Sequence, residues 1–554
     1  MKYTVFTKLI VLLSLVIAAD LDSSAQQTTF SRADTLRGSL RPERTCYDVH
    51  YYDLDIEIVP EQKEIVGRVD IYFDLLQESN RIQVDLFRNM EISAIRWRGK
   101  KRKFKREFDA VFIDVEGIPV GKQMLSIYYN GQPRTGKMLP WDGGFIWTTD
   151  QEGNPWIAVA CEGIGASLWW PNKDHLSDEP DSLRISCTVP QPLQCISNGS
   201  PERVLVEPGG LSTWTWKVNY PINNYNVSIN IGKYTHFSDT FRYNNGLDLA
   251  LDYYVMPYNL EKAREHFEQV KKVLEAFEHY LGPYPYPIDG YALVETPYLG
   301  MEHQGAIAYG NRFQRGYLGG MQPRDMDQDY IILHETGHEY FGNWISCSDH
   351  AEMWIHESFT TYLESLYVEY FMGKKAALRY LNYQRPFIRN SAPLVGPMGV
   401  NYQGWGSSDI YYKGSWLLQT LREYVHHDEK WFGMLKGLVA DLGNKVVTSE
   451  EVCSYIEDNL ELSLSHFYAQ YLHEKSIPVL SWKESEGQVL LRWESTVDNF
   501  EMPLVFRDVD GEDIVFSVTK NWQRLPGKVT WDRSTIEDIR SRYLADIIKW
   551  KEQN

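Results

Sequence analysis

The segment His334-Glu335-Thr336-Gly337-His338 constrains the fold of this chain more than any other feature. On a helix, side chains four residues apart lie one above the other, so both imidazoles can reach one cation. Glu357 follows His338 after eighteen intervening residues and is a third candidate ligand. Three protein ligands leave one position open for water or substrate, as catalytic zinc requires. The pattern therefore predicts one Zn²⁺ per chain, with Glu335 placed to accept a proton from water.

The residues around this motif favour two buried helices. Residues 330–333 and 340–341 are apolar or aromatic, and the stretch that contains the motif has one glycine and no proline. Glu357 opens a second amphipathic stretch that runs to about Phe371. Glu364 lies seven residues after Glu357, so helical spacing makes it a candidate to orient a ligating imidazole.

The run HETGHEYFGNWIS, followed by WIHESFTTYLES, resembles the zinc aminopeptidases of the aminopeptidase N type, a branch of the gluzincins. The resemblance extends over nearly the whole mature chain, to about Trp482. It implies three zinc ligands, which are His334, His338 and Glu357. It also implies that Glu335 is the general base.

A second motif, Leu299-Gly300-Met301-Glu302-His303, is similar to the family's G-A-M-E-N segment. The resemblance implies that Glu302 binds the free α-amine of the substrate, beside Gly300 and Met301. Leu299 replaces a glycine and His303 replaces the asparagine, which affects the loop shape and one polar contact but not the carboxylate. Tyr298 and Met301 are expected to help line the pocket for the first side chain, which favours apolar or aromatic first residues.

A third motif begins at Cys161-Glu162-Gly163 and resembles the family segment that ends in a Phe-Pro-Cys…Asp-Glu-Pro pattern. The resemblance implies that Glu162 also holds the substrate amine. Two carboxylates near one ammonium supply charge-assisted hydrogen bonds, which are roughly twice as strong as neutral ones. Only the first peptide bond would then reach the metal.

The fourth motif is Tyr411-Tyr412-Lys413-Gly414, which resembles the family's Y-x-K-G segment ahead of an apolar helix. The resemblance implies that Tyr411 stabilises the tetrahedral intermediate. A phenol aimed at the developing negative charge is an oxyanion-hole donor. Tyr412, by contrast, is expected to pack.

Together the motifs predict a zinc-dependent aminopeptidase whose substrates are peptides with a free N-terminus. Two alternatives stay open. A zinc endopeptidase of the thermolysin type would share the metal site without selecting an amine, and Glu302 and Glu162 argue against it. A catalytically silent peptide-binding protein on the same fold would have no need for Glu335.

The predicted architecture is multidomain α+β, because 554 residues exceed one ordinary core. The expected order is a signal peptide (residues 1–25), an N-terminal all-β domain (26–235), a thermolysin-like, mainly helical zinc catalytic domain (236–475) and a small β-sandwich with a terminal helix (476–554). Long members of the resembled family carry a large C-terminal helical domain. The sequence, which ends at Asn554, is expected to be a short form without it.

Hydrophobic periodicity supports this division. Residues 52–58 alternate as a strand does, and apolar positions over residues 260–281 repeat at spacings of three and four. We expect one helix over residues 260–281 with Asn259 as its cap. We expect a final helix over residues 536–550 with a capping box that begins at Ser534.

The N-terminus reads as a secretory signal. Lys2 and Lys8 precede or flank an apolar run over residues 9–19, and residues 23–25 offer a small-residue cleavage site. The mature protein is therefore expected to be exported, to the periplasm or the extracellular space, with no stable membrane span once the signal is removed. An uncleaved anchor is the alternative, although the run is short for a span.

The net charge of −19 disfavours nucleic acid as a partner. The basic cluster over residues 96–106 is expected to be an exposed hairpin around Gly99. Six cysteines in an exported chain permit up to three disulfides, and Cys187 with Cys195 is the best candidate pair. The sequence leaves open whether the protein forms an oligomer.

Overall fold

The computed structural model describes residues 29–404 and 407–551. The predicted signal segment, residues 1–25, lies outside these residues. Within the described ranges, no helix combines the length and the apolar character that a bilayer crossing needs.

The N-terminal region consists mainly of strands. Two short helices precede them, α1 (Arg32–Gly38) and α2 (Pro42–Thr45). The strands are β1 (Tyr47–Val59), β2 (Glu64–Leu75), β3 (Arg81–Asp85), β4 (Met90–Trp97), β5 (Lys100–Lys101), β6 (Phe104–Glu107), β7 (Ala110–Asp114), β8 (Gly121–Gly131), β9 (Gly144–Thr149), β10 (Pro155–Ala160), β11 (Ser182–Pro190), β12 (Gln194–Ser197), β13 (Ser200–Glu207), β14 (Leu211–Val218) and β15 (Ile229–Gly232). An eight-stranded sheet has the order β13-β14-β11-β1-β2-β8-β4-β5, and smaller sheets have the orders β12-β15-β10-β9 and β3-β7-β6.

Two sequence predictions are confirmed in this region. In β1, Leu54, Ile56 and Ile58 are buried and the residues between them are exposed, as alternation over residues 52–58 predicts. Trp97 pairs with Lys100, so Arg98 and Gly99 form the two-residue turn of the predicted basic hairpin, both with positive φ.

The best candidate disulfide is absent from the structure. Cys187 in β11 and Cys195 in β12 are buried thiols in hydrogen-bond contact with each other but not joined, and the other cysteines, all of which lie in the described ranges, are also free.

The central region, which was expected to be mainly helical, starts with strands. Two strands come first, β16 (Thr235–Arg242) and β17 (Asp248–Val255). They continue into β18 (Tyr291–Glu295), β19 (Gly300–Met301) and β20 (Ile307–Tyr309), in a mixed sheet of order β16-β17-β18-β20-β19. A small parallel pair joins β21 (Ile345–Cys347) to β22 (Lys445–Val447). The predicted domain boundary at residues 235 and 236 falls inside β16, and the domain limits stay predictions.

Helices form most of the rest of the central region, and the helix Tyr330–His338 contacts β19 and β20 of the sheet. The helices are α3 (Leu260–His266), α4 (Gln269–Tyr280), α5 (Tyr330–His338), α6 (Trp354–Met372), α7 (Lys374–Gln384), α8 (Asp409–Val425), α9 (Asp428–Leu442), α10 (Ser449–Leu460) and α11 (Ser465–His473). The two helices expected around the metal motif are α5 and α6.

The single helix expected over residues 260–281 was wrong, because the chain breaks it at Phe267 and Glu268 into α3 and α4. Phe267 is 1% exposed and its ring packs against Tyr309 at 4.9 Å. Tyr253 and Phe313 also contact this ring. Asn259 does not cap α3, since its amide donates to the Glu295 carboxylate at 2.7 Å.

The C-terminal region contains two sheets. Its elements are β23 (Val479–Ser485), β24 (Gln488–Glu494), β25 (Met502–Arg507), β26 (Asp513–Val518), β27 (Gln523–Arg524), α12 (Arg533–Arg542) and β28 (Asp546–Lys549). The sheets have the orders β27-β24-β23-β28 and β25-β26.

The final helix predicted over residues 536–550 was wrong at both ends. Asp532, not Ser534, caps α12, because its side chain accepts from the Thr535 amide at 3.0 Å. The helix stops at Arg542, and β28 then pairs in parallel with β23. Ile547 is buried in this pairing. A strand of four residues is too short to be recognised in the sequence by its alternation of buried and exposed side chains.

Candidate metal centre and active site

The helix that carries the metal motif is anchored at its start by Asp329. This side chain caps α5 by accepting from the Ile331 amide at 2.8 Å and the Ile332 amide at 3.3 Å. The same carboxylate accepts from the Tyr309 hydroxyl and lies 2.7 Å from His266 Nε2. Asp329 therefore links α5 to β20 and α3, and nothing in the sequence pattern pointed to it.

The three predicted ligands meet at one point in the buried interior. The Nε2 atoms of His334 and His338 are 3.2 Å apart, and each lies 3.5 Å from Glu357 Oε2. Tetrahedral ligands at about 2.0–2.1 Å from a zinc ion would be about 3.3–3.4 Å apart. Glu357 Oε2 is buried without a hydrogen-bond partner in the described chain, as a metal ligand would be. The residues present therefore fit a zinc ion.

Each imidazole is held through its other nitrogen. His334 Nδ1 lies 2.8 Å from Glu364 Oε1, which confirms the candidate chosen by helical spacing. The second oxygen of Glu364 accepts from Tyr380 at 2.7 Å and from Gln384 at 2.8 Å. His338 Nδ1 donates to the Phe341 carbonyl oxygen at 3.0 Å. These contacts present Nε2 of both rings to the metal.

A second cluster of carboxylates adjoins the ligands. Oxygen atoms of Glu162, Glu302 and Glu357 lie within 4.8 Å of one another. Glu302 is 2% exposed and accepts from the Tyr225 hydroxyl at 2.7 Å. Burial, then repulsion from Glu302 and Glu357, raises the pKa of the half-buried Glu162 carboxyl. A cation brought here from outside would relieve this repulsion.

Glu335 faces the same space. Its carboxylate is buried and makes no hydrogen bond within the described residues. Burial raises its pKa to about 7, although the two histidines act in the opposite direction. A Cβ on Gly300 would lie 2.8 Å from Glu335 Oε1, so only glycine lets β19 pass this close to α5.

Tyr411 approaches from α8. Its ring lies 5.9 Å from the His334 ring, and its hydroxyl has no hydrogen-bond partner among the described residues. The approach depends on Gly414, where a Cβ would lie 1.7 Å from Ser358 Oγ of α6. Tyr412 contacts the Phe387 ring at 5.6 Å but also lines the cavity of the ligands, so the expectation that it only packs holds in part.

A cavity of about 350 Å³ brings these groups together. The predicted site residues that line it are Glu162, Gly300, Met301, Glu302, His334, Glu335, His338, Glu357 and Tyr411. Tyr298 is the exception. It lines a neighbouring cavity, and its hydroxyl donates to the Val159 carbonyl oxygen at 3.1 Å.

Sequence reasoning missed several supports of this site. Tyr225 positions Glu302, and Asn343 donates to the Glu302 carbonyl oxygen at 2.9 Å. Tyr330 stacks on His334 at 5.0 Å, and Trp141 lines the cavity from the N-terminal region. Tyr330 directly precedes the apolar run of the motif, so its place on the helix could have been inferred. The roles of Tyr225, Asn343 and Trp141 depend on contacts between residues that are distant in sequence.

The helix pair, the ligand triangle and the adjoining carboxylates define a metallopeptidase of the H-E-x-x-H class with a glutamate as third ligand. Residues 265–471 match the family model described as "Peptidase family M1 domain". This segment therefore matches an M1 peptidase domain, and its ligand triangle fits Zn²⁺ as the cofactor.

Curated relatives agree with this assignment. Aminopeptidase N of Escherichia coli (strain K12) is 23% identical over 285 residues, which cover 49% of this chain and 32% of the relative. Probable aminopeptidase 1 of Saccharolobus solfataricus is 23% identical over 436 residues, which cover 75% of this chain and 52% of the relative. The chain thus spans about a third to a half of these relatives.

Among solved structures, a mutant M1 zinc metallopeptidase from Deinococcus radiodurans, bound to a Tyr-Ser-Ala substrate, superposes with a TM-score of 0.62. The two are 20% identical, and the match covers 78% of this chain and 95% of the other. This likeness shows a shared fold.

Proposed function

We propose that this protein is a zinc-dependent aminopeptidase that removes the N-terminal residue from peptides. The observation that carries the proposal is the pair Glu162 and Glu302, which adjoins the ligand triangle within one cavity. An α-ammonium between these carboxylates would form charge-assisted hydrogen bonds and neutralise part of the local charge. With the amine fixed there, the first peptide bond is the one that lies beside the ligands.

The remaining residues have separate tasks in the proposed reaction. When bound, zinc supplies Lewis-acid activation of a water molecule and of the scissile carbonyl. Glu335 takes the proton of the attacking water and then delivers it to the leaving amine. The free hydroxyl of Tyr411 donates to the oxygen on which negative charge develops. Glu364 and the Phe341 carbonyl oxygen keep the two imidazoles oriented.

The test compares an aminoacyl amide that has a free amine with its N-acetylated form. We expect hydrolysis of the free amine only. Glu302→Gln should raise KM for the free amine, whereas Glu335→Gln should lower kcat with zinc content retained. Glu369→Gln is a matched control, since that carboxylate on α6 pairs with Arg422 at 2.6 Å, outside the cavity.

Each alternative has its own outcome in this test. Equal turnover of free and acetylated substrates would favour a thermolysin-type endopeptidase. Zinc-loaded protein with no turnover of either, unchanged by Glu335→Gln, would favour a silent binding protein.

We also propose that first residues with apolar or aromatic side chains are preferred, since Met301 lines the cavity beside Glu302. Export of the protein is a further proposal, which is based on the lysines and apolar run near the N-terminus. Cell fractionation would test it, and recovery in the cytosolic fraction alone would contradict it.

A further inference from the structure

Residues 96–106 form a positively charged surface on a protein whose net charge is −19. Eight of these eleven residues are Lys or Arg, and none is Asp or Glu. They include β5, which is the last strand of the eight-stranded sheet, and the start of β6, which is the last strand of the sheet β3-β7-β6. The segment therefore follows two sheet edges that only Arg102 and Lys103 separate. We call residues 96–106 the basic edge.

Two arginines hold the backbone of the basic edge in place. Arg96 donates to the Gly99 carbonyl oxygen at 2.9 Å, across the hairpin turn. Arg102 donates to the carbonyl oxygens of Asp114 at 2.9 Å and Glu116 at 2.7 Å, which fastens the junction of β5 and β6 to the end of β7. These guanidinium groups are used within the protein, so their role is structural.

Four lysines of the basic edge have no such role. Their side chains are exposed and make no hydrogen bond or ion pair with any residue that the structure describes. They are Lys100, Lys101, Lys103 and Lys105. Asp114, an acid on the adjoining strand, is already paired with Arg102 at 3.5 Å. Four positive charges within six residues thus lack a partner, and an external anionic surface would relieve their mutual repulsion.

Exposed aromatic side chains accompany these lysines. Phe104 is 36% exposed and lies between Lys103 and Lys105 in the chain. Phe108 is 43% exposed in the two-residue turn after β6, where its φ is 53°. That backbone conformation is unfavourable for a bulky residue, and strained residues cluster at ligand sites. Lysines alone would protect the two sheet edges from pairing with other chains, but exposed phenylalanines act against such protection and indicate a partner.

The chemistry of the basic edge fits an anionic lipid bilayer better than a single bound anion. A single anion is typically bound by paired arginine donors or by converging backbone amides. The free groups here are lysines on an open edge, and a lysine is a hydrated point charge that suits the diffuse charge of lipid headgroups. Phenylalanine beside such charges can enter the boundary between headgroups and acyl chains.

The acidic remainder of the protein does not prevent this contact. The Debye length at 0.1 M ionic strength is about 10 Å, so charges farther than this from the bilayer are largely screened. The lysines of the basic edge would lie within that distance. Each lysine close to an anionic leaflet strengthens binding about fivefold, so the local charge decides the outcome and the net charge does not.

We propose that the basic edge is a peripheral docking surface for anionic lipid bilayers. The four free lysines bind headgroup phosphates, and Phe104 inserts beside them. Such binding is reversible and weakens with salt. This inference is independent of the proposed aminopeptidase function.

The experiment measures co-sedimentation of the full chain with vesicles of phosphatidylcholine, with or without phosphatidylglycerol as the anionic lipid. The neutral vesicles report any contribution of the apolar run at residues 9–19. We expect the anionic vesicles to bind more protein than the neutral ones, and we expect high salt to abolish the excess. Replacement of all four free lysines by Gln should weaken this excess binding more than about 100-fold. Phe104→Ser should weaken it about tenfold with the salt dependence retained.

A matched control replaces four other lysines by Gln and changes the net charge by the same amount. These lysines are exposed, lie outside the basic edge and make no hydrogen bond or ion pair in the described ranges. They are Lys233, Lys272, Lys375 and Lys436. The control should bind anionic vesicles as the wild type does, and thermal melts check that both variants are folded.

The proposal would be overturned if the wild type showed no excess binding to anionic vesicles, or if the variant without the four free lysines bound them equally well. An equal loss in the control variant would also overturn it, because net charge alone would then explain the binding. Binding of a soluble acidic polysaccharide without excess vesicle binding would assign the basic edge to a polyanion instead. Self-association of the lysine variant, with no vesicle binding by the wild type, would leave the lysines only a protective role at the sheet edges.

Discussion

Glu364 offers the sharpest test of how the metal centre is held. Its carboxylate is fully buried and has three neighbours, His334 Nδ1, the Tyr380 hydroxyl and the Gln384 amide group. All three act as donors when Nε2 of His334 binds metal. Glu364→Gln keeps the shape but removes the charge, and its new amide group must face a donor in either orientation.

The magnitude follows from the contact that is lost. A hydrogen bond to a charged group contributes about 1.5–3 kcal/mol, and removing an outer partner of a ligating histidine typically lowers metal affinity about 10- to 100-fold. Because about 1.4 kcal/mol corresponds to a tenfold change in affinity, the free energy of the hydrogen bond and the loss of zinc affinity agree. We therefore expect Glu364→Gln to bind zinc about 10- to 100-fold more weakly than the wild type.

Competition with a fluorescent zinc chelator measures this affinity directly. Glu369→Gln is the control on the same helix, because its carboxylate pairs with Arg422 rather than with a histidine. The control should lose stability in a thermal melt yet keep its zinc affinity. Unchanged zinc affinity in Glu364→Gln, with the protein folded, would refute the role assigned to this contact.

Three further predictions concern the oxyanion donor, a buried lysine and the metal itself. Tyr411→Phe should lower kcat about 100- to 1000-fold with zinc content unchanged, and a smaller loss in steady-state kinetics would remove Tyr411 from the reaction. Burial lowers the pKa of Lys413 from 10.5 to about 8. The unfolded chain therefore binds that proton more tightly between these values, and stability rises with pH across that window. Relative to Lys413→Met, the wild type should gain up to about 3 kcal/mol of unfolding free energy over that range in denaturant titrations; a constant difference would contradict this. Chelation of zinc should lower the thermal midpoint and zinc should restore it, since a ligand that binds only the folded state at about 1000 times its Kd contributes about 4 kcal/mol.

Helical spacing placed two of the metal ligands, whereas Glu357 lies on the next helix and was predicted from its position after the motif and from the family resemblance. His334 and His338 share a helix face, and the spacing from Glu357 made Glu364 a candidate to orient a ligating imidazole, which in the structure is that of His334. A local sequence pattern was sufficient for prediction where one helix or one hairpin contains all the residues concerned. The basic hairpin at Gly99 is another such case, since a two-residue turn defines its register.

The remaining features depend on contacts between distant parts of the chain. Tyr225 and Glu302 are 77 residues apart, and only the folded structure reveals their hydrogen bond. Phe267 lies at the break of a helix that its own periodicity favours, and its ring contacts Tyr253 and Tyr309 of two strands and Phe313 of the loop after β20. Tyr298 is beside the amine anchor in sequence, yet it lines the neighbouring cavity, where its hydroxyl donates to the Val159 carbonyl oxygen of a distant strand.

Asp329 has a consequence for how the protein tolerates change. One carboxylate joins the start of the zinc helix to the end of β20, the strand paired with the segment that bears Glu302. The distance between the ligand triangle and Glu302 is therefore set by the hydrogen bonds of the Asp329 side chain. It does not depend on the length of the loop that connects β20 to α5. We therefore expect insertions at the exposed tip of that loop, near Met321, to leave the distance between the ligand triangle and Glu302 unchanged.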